Sequence, residues 1–284
     1  HLPLILSQME KAARKFPGAH PVLAADHLSE GARRELQERG IGFVDGAGNV
    51  RIKFGTVLID RQILPPVARP RVQRPLDRLV SRKYARVLRV LLEHHDRPWG
   101  VRELSQEAGI SFRHAWVALD RLAEEGWVEK KRGQNRLAAP GTLLDFWAGR
   151  YPWKRHQSHR FYAPVRSFDD LLERLSVLQD GTTYALTGPA GSMLVAPFVT
   201  FAVHYLYSGA GLEPFQRALD LRPVETGGAN IVIVEPDDPG VFYGVRDIRG
   251  YPVACNTQLY LDLMALGGRG KDQATHLREQ VMKI

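Results

Sequence analysis

Cysteine is almost absent from this 284-residue sequence, and its runs of apolar residues are short. The single cysteine, Cys255, excludes an internal disulfide framework and a cysteine-rich zinc site. No segment approaches the roughly 18 to 20 consecutive apolar residues that span a bilayer. Residues 1–6 are apolar but have neither the basic flank nor the cleavage site of a signal peptide. We therefore expect a cytoplasmic protein that does not associate with a membrane.

Acidic residues are too few to balance the basic ones, with 31 Asp and Glu against 39 Lys and Arg and a net charge of +8. The surplus is concentrated in the middle of the chain. Residues 61–160 hold 21 basic and 10 acidic residues, a net charge of +11, whereas the remainder carries −3. A polyanion such as DNA is the natural partner of this block, although a solvated basic face would have the same composition.

The periodicity of apolar residues and the placement of turn residues predict a mixed α/β (α+β) protein built around a central DNA-binding domain. In chain order we predict a small α/β domain over 1–62, a Pro/Arg linker over 63–76, a winged helix-turn-helix over 77–139, a helix with a connector over 140–163, and a C-terminal α/β domain over 164–284. The linker leads straight into the predicted DNA-binding domain, so we expect its arginines to run near DNA; they are Arg69, Arg71 and Arg74.

Individual elements follow from the same signals. The predicted helices cover residues 4–16, 29–40, 77–95, 101–107, 112–125, 140–150, 168–178, 187–195, 256–266 and 272–282. The predicted strands cover residues 41–44, 49–54, 57–59, 198–207, 229–234 and 241–248, with a hairpin over 127–138 whose basic tip is 130–135. Residues 151–163 are predicted to be an irregular connector, in which His156 and His159 face solvent or phosphate.

A helix-turn-helix motif is indicated at residues 101–125 by its spacing. Such a motif needs a short first helix, a tight turn that usually contains Gly, and a second helix whose start faces the major groove. Gly109 supplies the turn and Ser111 can cap the second helix. The side chains predicted to pack inward are Leu104 and Ala108 from the first helix and Ala115, Leu119 and Leu122 from the second.

The opposite face of the second helix is predicted to contact bases, because this helix enters the groove near its N-terminus. Arg113 has the fork geometry that recognises guanine, and apolar side chains can contact thymine methyl groups. The predicted base contacts are Ser111, Arg113, His114, Trp116 and Val117. The predicted contacts to the DNA backbone are Arg121, Lys130, Lys131, Arg132, Asn135 and Arg136. A winged helix that binds only proteins is the alternative for this segment.

Several segments, in the same order along most of the chain, resemble the AbiEi-like antitoxins, the transcriptional-regulator half of type IV toxin–antitoxin systems. The segments that carry the resemblance are GIGFVDGAGN at 40–49, EEGWV at 124–128, YALTG at 184–188, NIVIVEP at 230–236, PVA at 252–254, QLYLDL at 258–263 and GGRG at 267–270.

The resemblance implies a DNA-binding repressor that regulates its own operon. It also implies a separately encoded nucleotidyltransferase-like toxin, which the antitoxin counters without forming a stable complex with it. A dimer on an inverted-repeat operator is one arrangement that fits such a repressor. We predict no cofactor.

Catalytic sets are incomplete in the sequence, and we assign no catalytic or metal-binding residue. A nuclease-like first domain would need an acidic residue followed by Glu-x-Lys, but Asp45 is followed by Arg51-Ile52-Lys53. Asp45 and Asn49 are better explained as turn residues that bond their own backbone. Two other functions stay open at this point. One is a DNA-processing or defence enzyme targeted by the winged helix, and the other is a regulator whose C-terminal domain senses a ligand or partner.

Overall fold

The computed structural model describes residues 5–6, 8–9, 15–16, 18–61, 63, 76–131, 133–178, 181–225 and 227–284. Its helices are α1 (Glu30–Glu38), α2 (Arg82–Glu93), α3 (Val101–Glu107), α4 (Phe112–Glu124), α5 (Pro140–Ala148), α6 (Phe168–Leu175), α7 (Gly188–Val195), α8 (Glu213–Leu219), α9 (Asn256–Leu266) and α10 (Arg269–Leu277). Its strands are β1 (Val22–Ala25), β2 (Gly42–Asp45), β3 (Val50–Phe54), β4 (Val57–Arg61), β5 (Trp99–Gly100), β6 (Val128–Lys131), β7 (Gln134–Leu137), β8 (Gln157–Tyr162), β9 (Tyr184–Thr187), β10 (His204–Ser208), β11 (Arg222–Pro223), β12 (Ile231–Glu235), β13 (Arg246–Ile248) and β14 (Tyr251–Val253).

The first of two compact units comprises His1–Arg74. Its sheet has the order β1-β2-β3-β4, with β1 parallel to β2 and the other pairs antiparallel. The Ser29 side chain caps α1 by accepting from the Ala32 amide, and Gly40 follows the helix at φ +67°. These features confirm the predicted helix over 29–40, and β2, β3 and β4 confirm the predicted strands that follow it, while β1 is an addition. Most of the predicted helix over 4–16 lies outside the described residues. The core of this unit is small; its buried apolar residues are Leu6, Leu28, Leu36, Ile41 and Phe43.

The second unit comprises Pro75–Ile284 and contains a seven-stranded mixed sheet of order β11-β8-β12-β10-β9-β14-β13. The central strands β9, β10 and β12 are apolar and buried, as expected for strands covered on both faces. Helices α7, α9 and α10 pack against each other and against this sheet. The whole chain is therefore a mixed α/β protein, as the sequence predicts.

One continuous apolar core runs through the second unit. It includes side chains of α2 and α4, such as Leu88 and Leu119, together with side chains of the sheet and of α9, such as Leu186 and Leu259. No separate core marks off residues 77–139 among the described residues. The division of this unit into a winged helix-turn-helix and a C-terminal domain stays a prediction.

Residues 76–137 form a group of helices beside a three-stranded sheet of order β5-β7-β6. Helices α3, α4 and α5 lie close to their predicted positions. The predicted helix over 77–95 is instead interrupted at Ser81, where an extended ψ of 155° separates a 3-10 turn, Leu76–Val80, from α2. Strand β5, which is absent from the predicted elements, pairs with β7. The β6–β7 hairpin is also longer than predicted, because Gly133 at φ +82° permits a tip of only two residues.

The predicted connector over 151–163 is wrong, since Gln157–Tyr162 forms β8, which pairs with β12 inside the large sheet. The sequence of β8 lacks the alternation of apolar residues that predicts a strand, because only Phe161 among its side chains is buried. Only the last part of the predicted strand over 198–207 forms a strand, which is β10 (His204–Ser208). Helix α8 was not predicted. The predicted strand over 241–248 begins only at Arg246, after a 3-10 turn at Pro239–Phe242.

The remaining predicted helices are present with shifted ends. Helix α9 coincides with the prediction over 256–266, and α10 begins three residues earlier than predicted and continues into a π-helical turn at Arg278–Met282. Thr187 stands at the N-cap of α7 as predicted, but its hydroxyl donates to Asp262 instead of capping the helix. Among the described helices, none combines the length and the apolar character needed to cross a membrane.

Candidate nucleic-acid interface

The turn between α3 and α4 is tight and is closed by backbone hydrogen bonds. Gly109 adopts φ +60°, and the amide of Ile110 donates to Ser105 O at 3.0 Å. Ser111 then begins α4 with an extended backbone, and its hydroxyl accepts from the His114 amide at 3.4 Å. The local sequence therefore fixes the angle at which α4 leaves α3.

The inward face of α4 is apolar, as its spacing predicts. Ala115, Leu119 and Leu122 are buried, and Ala118 joins them. This stripe packs on α2 and α3, so that the first turns of the opposite face are turned toward solvent.

The outward face of α4 begins with two large exposed apolar side chains beside an exposed arginine. Trp116 is 49% exposed and Phe112 is 53% exposed, and Arg113 lies between them in sequence. Val117 is half-buried on the same helix. The sequence analysis selected Arg113, Trp116 and Val117 but missed Phe112, whose position at the first turn after the Ser111 cap was the available signal.

His114 is less accessible than its neighbours because two side chains hold it. Its Nδ1 lies 2.6 Å from Ser111 Oγ, and its ring lies 5.8 Å from the ring of Tyr84 on α2. Ser111 and His114 are thus brought together, and both are engaged within the protein.

The β6–β7 hairpin presents lysines that have acidic neighbours. Lys130 pairs with Asp120 at 2.9 Å and lies 5.9 Å from the Trp116 ring centroid, and Lys131 pairs with Glu129 at 3.0 Å. Exposed ion pairs of this kind are weak, so phosphate groups can replace the carboxylates at little cost.

The other predicted backbone contacts differ in their surroundings. Arg136 is exposed and donates to Asp96 O at 3.3 Å, and Arg121 pairs with Glu124 at 3.1 Å. Asn135 is buried, and its Nδ2 donates to Trp99 O at 2.9 Å, so its side chain joins β7 to β5 inside the protein and does not reach the surface. Arg132 and the linker residues Arg69, Arg71 and Arg74 lie outside the described residues.

Three basic residues that are absent from the predicted DNA contacts lie at the start of α2, beside the turn between α3 and α4. Arg82, Lys83 and Arg86 line a cleft that also contains Gly109, Ser111 and His114. Arg86 Nη1 lies 3.5 Å from Gly109 O. The four-residue spacing of Arg82 and Arg86 places them on one helix face and was the signal that could have found them.

The opposite wall of this cleft is acidic. Arg86 binds Asp238 through two hydrogen bonds of 2.8 Å, and Arg82 binds Asp237 through a similar pair. Hydrogen bonds from Arg82 hold the pKa of Asp237 below its ordinary value, despite partial burial. Asp238 also caps the following turn by accepting from the Gly240 amide.

More contacts fix α2 and α3 to α9 and to Tyr243, which follows the 3-10 turn at Pro239–Phe242. Thr257 N donates to Glu93 at 2.7 Å, and Tyr243 Oη donates to Glu107 at 2.7 Å. Arg89, which is buried, donates to Gln258 Oε1 at 2.6 Å. The segment with the exposed helix α4 is thus attached to the rest of the unit by polar contacts, of which that of Arg89 is buried, that of Thr257 is part-buried and that of Tyr243 is exposed.

Asp45, the acidic residue of the first unit that a nuclease-like site would use, is engaged by its own turn. Asp45 Oδ1 accepts from the amides of Ala47 and Asn49, each at 3.0 Å, and its carboxylate also accepts from Asn49 Nδ2. Burial opposes the charge of Asp45, but these hydrogen bonds outweigh it and lower its pKa. Arg51 pairs with Asp60. In the part of the chain that the structure describes, no group of three or more His, Cys, Asp or Glu side chains could hold a metal ion.

One known family matches the C-terminal half of the chain. The sequence profile of a family described as a transcriptional regulator, the AbiEi antitoxin of type IV toxin–antitoxin systems, matches residues 136–283, just over half of the chain. No curated protein and no solved structure matches the chain. The family is one of regulators and antitoxins, not of enzymes. Since its match runs from β7 through the π-helical turn after α10, this chain belongs to the AbiEi antitoxin family of transcriptional regulators.

Proposed function

We propose that residues 77–139 form a winged helix-turn-helix that binds double-stranded DNA, followed by a C-terminal α/β domain over 164–284. The observation that carries this proposal is the start of α4, where Arg113 and Trp116 are exposed opposite a fully buried stripe. A capped helix after a tight glycine turn, with a free N-terminal face, suits insertion into the major groove. The β6–β7 hairpin then serves as the wing.

In the proposed complex, Arg113 reads a guanine edge and the apolar Phe112, Trp116 and Val117 contact base methyl groups or sugars. Lys130, Lys131 and Arg136 on the wing contact phosphates. Arg132, which the sequence places at the tip of the same hairpin, is proposed to contact a phosphate as well. Ser111 and His114 hold the start of α4 in place, and Arg121 and Asn135 support the fold. The family match begins at residue 136, so the DNA-binding assignment depends on the residues of the helix-turn-helix themselves.

We further propose that the protein represses its own operon and neutralises a cognate toxin. Support comes from the family, which combines transcriptional regulation with antitoxin activity. A nucleotidyltransferase-like toxin encoded in the same operon is the proposed counterpart. A dimer on an inverted repeat is the arrangement that a symmetric operator would require.

The decisive experiment measures the binding of the full chain to a labelled duplex that covers the promoter of its own operon. A duplex of the same length and composition in scrambled order is the competitor. We expect at least a hundredfold preference for the promoter, and an affinity that falls with salt in proportion to the number of phosphates contacted. Equal affinity for the two duplexes would contradict specific repression.

A matched pair of variants tests whether this binding depends on α4. Trp116→Ala removes an exposed side chain of the proposed groove face and should reduce promoter binding. Phe198→Ala removes an exposed aromatic side chain of the C-terminal domain and should leave it unchanged. If both variants bind like the wild type, DNA contacts a different surface.

A further inference from the structure

One face of the seven-stranded sheet presents basic and aromatic side chains together. On β8, Arg160 and Tyr162 are two residues apart, so they lie on the same face, about 7 Å from each other along the strand. Both side chains are exposed, Tyr162 to 43%. The register places Arg222 of β11, which is also exposed, directly opposite Tyr162. An exposed ring thus has an arginine beside it on its own strand and another on the neighbouring strand.

The same face continues to a second aromatic group. Val232 of β12 lies opposite Arg160, and Tyr205 of β10 lies opposite Val232, so that Arg160 and Tyr205 are two strands apart, about 10 Å between their Cα atoms. The Trp153 ring lies 6.0 Å from the Tyr205 ring, and both side chains are half-buried. Burial raises the pKa of Tyr205, and the positive charge of Arg160 opposes this rise, because the guanidinium extends over Val232 toward the phenol.

Arg160 therefore lies between two aromatic groups, Tyr162 on one side and the Trp153–Tyr205 pair on the other. These residues, together with Arg222, are called the β8 patch; its members are Trp153, Arg160, Tyr162, Tyr205 and Arg222.

The charge of the β8 patch is positive. The other residues of β8, β10 and β12 on this face are uncharged; they are Ser158, Tyr207, Val232 and Val234. Arg160 forms no ion pair in the part of the chain that the structure describes. Arg222 pairs with Asp220 at 3.3 Å, but both side chains are mostly exposed, so this pair is weak. Glu235 lies on the opposite face of the sheet, where it contacts His159 at 2.8 Å. The partner that this patch attracts is therefore a polyanion.

The exposed rings distinguish between kinds of polyanion. The bases of a double helix stack on one another and present only their edges, so a flat sheet surface would contact its phosphates alone. In a single strand each base has a free face, on which aromatic side chains and arginine can stack. A sheet that carries aromatic side chains beside arginines suits this second case.

We propose that the β8 patch binds single-stranded nucleic acid. The rings of Tyr162 and of the Trp153–Tyr205 pair contact bases, and Arg160 and Arg222 contact phosphates. This inference is independent of the proposed binding of double-stranded DNA by α4.

The test measures fluorescence anisotropy of the full chain with labelled single strands of about 12 nucleotides, a length within the range that single-strand binding modules cover. One strand is RNA and the other is DNA of the same sequence, chosen without self-complementarity. We expect binding of at least one strand with a Kd in the micromolar range at low salt. Tighter binding of the RNA would show that the 2′-hydroxyl groups are contacted, and equal binding would show that they are not.

Variants of two exposed residues locate the binding and separate their roles. Arg160→Ala removes a phosphate contact, so it should weaken binding several-fold and reduce the slope of log K against log salt by about 0.7. Tyr162→Ala removes a stacking ring, so it should weaken binding about tenfold and leave that slope unchanged. The matched controls are Arg246→Ala, on the opposite edge of the sheet, and Phe198→Ala, an exposed ring outside the patch; both should bind like the wild type.

The two proposed nucleic-acid surfaces are tested separately by exchanging variants and ligands. Trp116→Ala on α4 should keep its single-strand binding, and Tyr162→Ala should keep its affinity for the promoter duplex. No binding of either strand by the wild type would overturn the proposal. An unchanged Kd in both Arg160→Ala and Tyr162→Ala, or a loss of single-strand binding in Trp116→Ala, would overturn it as well.

Discussion

Arg86 binds Asp238 through two parallel hydrogen bonds, Nε to Oδ1 and Nη2 to Oδ2, each 2.8 Å long. The pair lies beside the turn that precedes α4, so it places a carboxylate next to the proposed DNA-binding surface. A phosphate group offers the same bidentate acceptor geometry to arginine as a carboxylate does. The acidic turn and a DNA backbone would therefore compete for the same guanidinium groups.

Neutralising the acidic turn should strengthen DNA binding. In the double variant Asp237→Asn and Asp238→Asn, Arg82 and Arg86 are free to contact phosphates, and two repulsive charges are removed. We expect affinity for promoter and scrambled duplex alike to rise on the order of tenfold at low salt, because the gain is electrostatic. Fluorescence anisotropy over a salt series measures it. The exposed Asp247→Asn serves as a control for net charge, and an equal gain in that variant would rule out a local effect.

Arg113→Ala and Lys131→Ala should have different effects on DNA binding. Loss of a base-contacting arginine reduces discrimination at one base pair by about 1–3 kcal/mol, whereas loss of a phosphate-contacting lysine weakens all sequences alike and lowers the salt slope by about 1. Competition with single-base operator variants distinguishes the two results. A uniform loss of affinity in Arg113→Ala would place that residue on the backbone instead of a base.

Asn135→Ala should destabilise the wing without touching DNA directly. The substitution leaves Trp99 O without its donor inside the protein, which costs about 1–3 kcal/mol in the free energy of unfolding. Urea denaturation measures this loss. Gln134→Ala, one residue earlier on the same strand and exposed, should be almost neutral. If the two variants are equally stable, the Asn135 hydrogen bond contributes nothing measurable.

Asp262→Asn should change how stability depends on pH. Burial raises the pKa of Asp262 to about 6, although hydrogen bonds from Thr187, Tyr151, Tyr207 and Gln258 act in the opposite direction. A carboxyl group whose pKa is raised in the folded state contributes its stability at low pH and loses it as pH rises through about 6. The wild type should therefore lose up to about 3 kcal/mol from this residue between pH 4 and pH 7, and the variant should not.

The comparison for Asp262→Asn is made as a difference between variant and wild type at each pH. Buried histidines act in the opposite direction, because burial lowers the pKa of both His156 and His204 to about 4 and their contribution is lost as pH falls. Their effect is common to both proteins and cancels in the difference. A variant-minus-wild-type difference that stays constant from pH 4 to pH 7 would show that Asp262 titrates normally.

Local signals made α3, α4 and the turn between them predictable from sequence. Gly109 and Ser111 define the turn and the cap through their own backbone and side-chain chemistry, and the stripe of Ala115 and Leu119 follows from helical periodicity. Strand β8 was not predictable in this way, because its exposed, basic side chains hide a strand that is stabilised by pairing with β12, about 70 residues away. Propensity does not report such long-range pairing.

The candidate site was only partly predictable for the same reason. Arg113 and Trp116 were identified because helix periodicity decides which face is exposed. The contacts of Arg86 with Asp238 and of Asn135 with Trp99 join residues far apart in sequence, and no spacing rule links them. Asn135 is an example. It was predicted to contact the DNA backbone because it is a polar residue in a basic hairpin, but its side-chain amide is buried and donates to Trp99 O.

The continuous core that joins α2 and α4 to the sheet has a consequence for how the molecule responds to stress. Segments that share a core unfold together, so residues 76–284 should melt in a single cooperative transition instead of releasing α2, α3 and α4 first. Any event that loosens the sheet, such as proteolysis or heat, would then disable the proposed DNA recognition at the same moment. The proposed repression and antitoxin activity would rise and fall together as properties of one folding equilibrium.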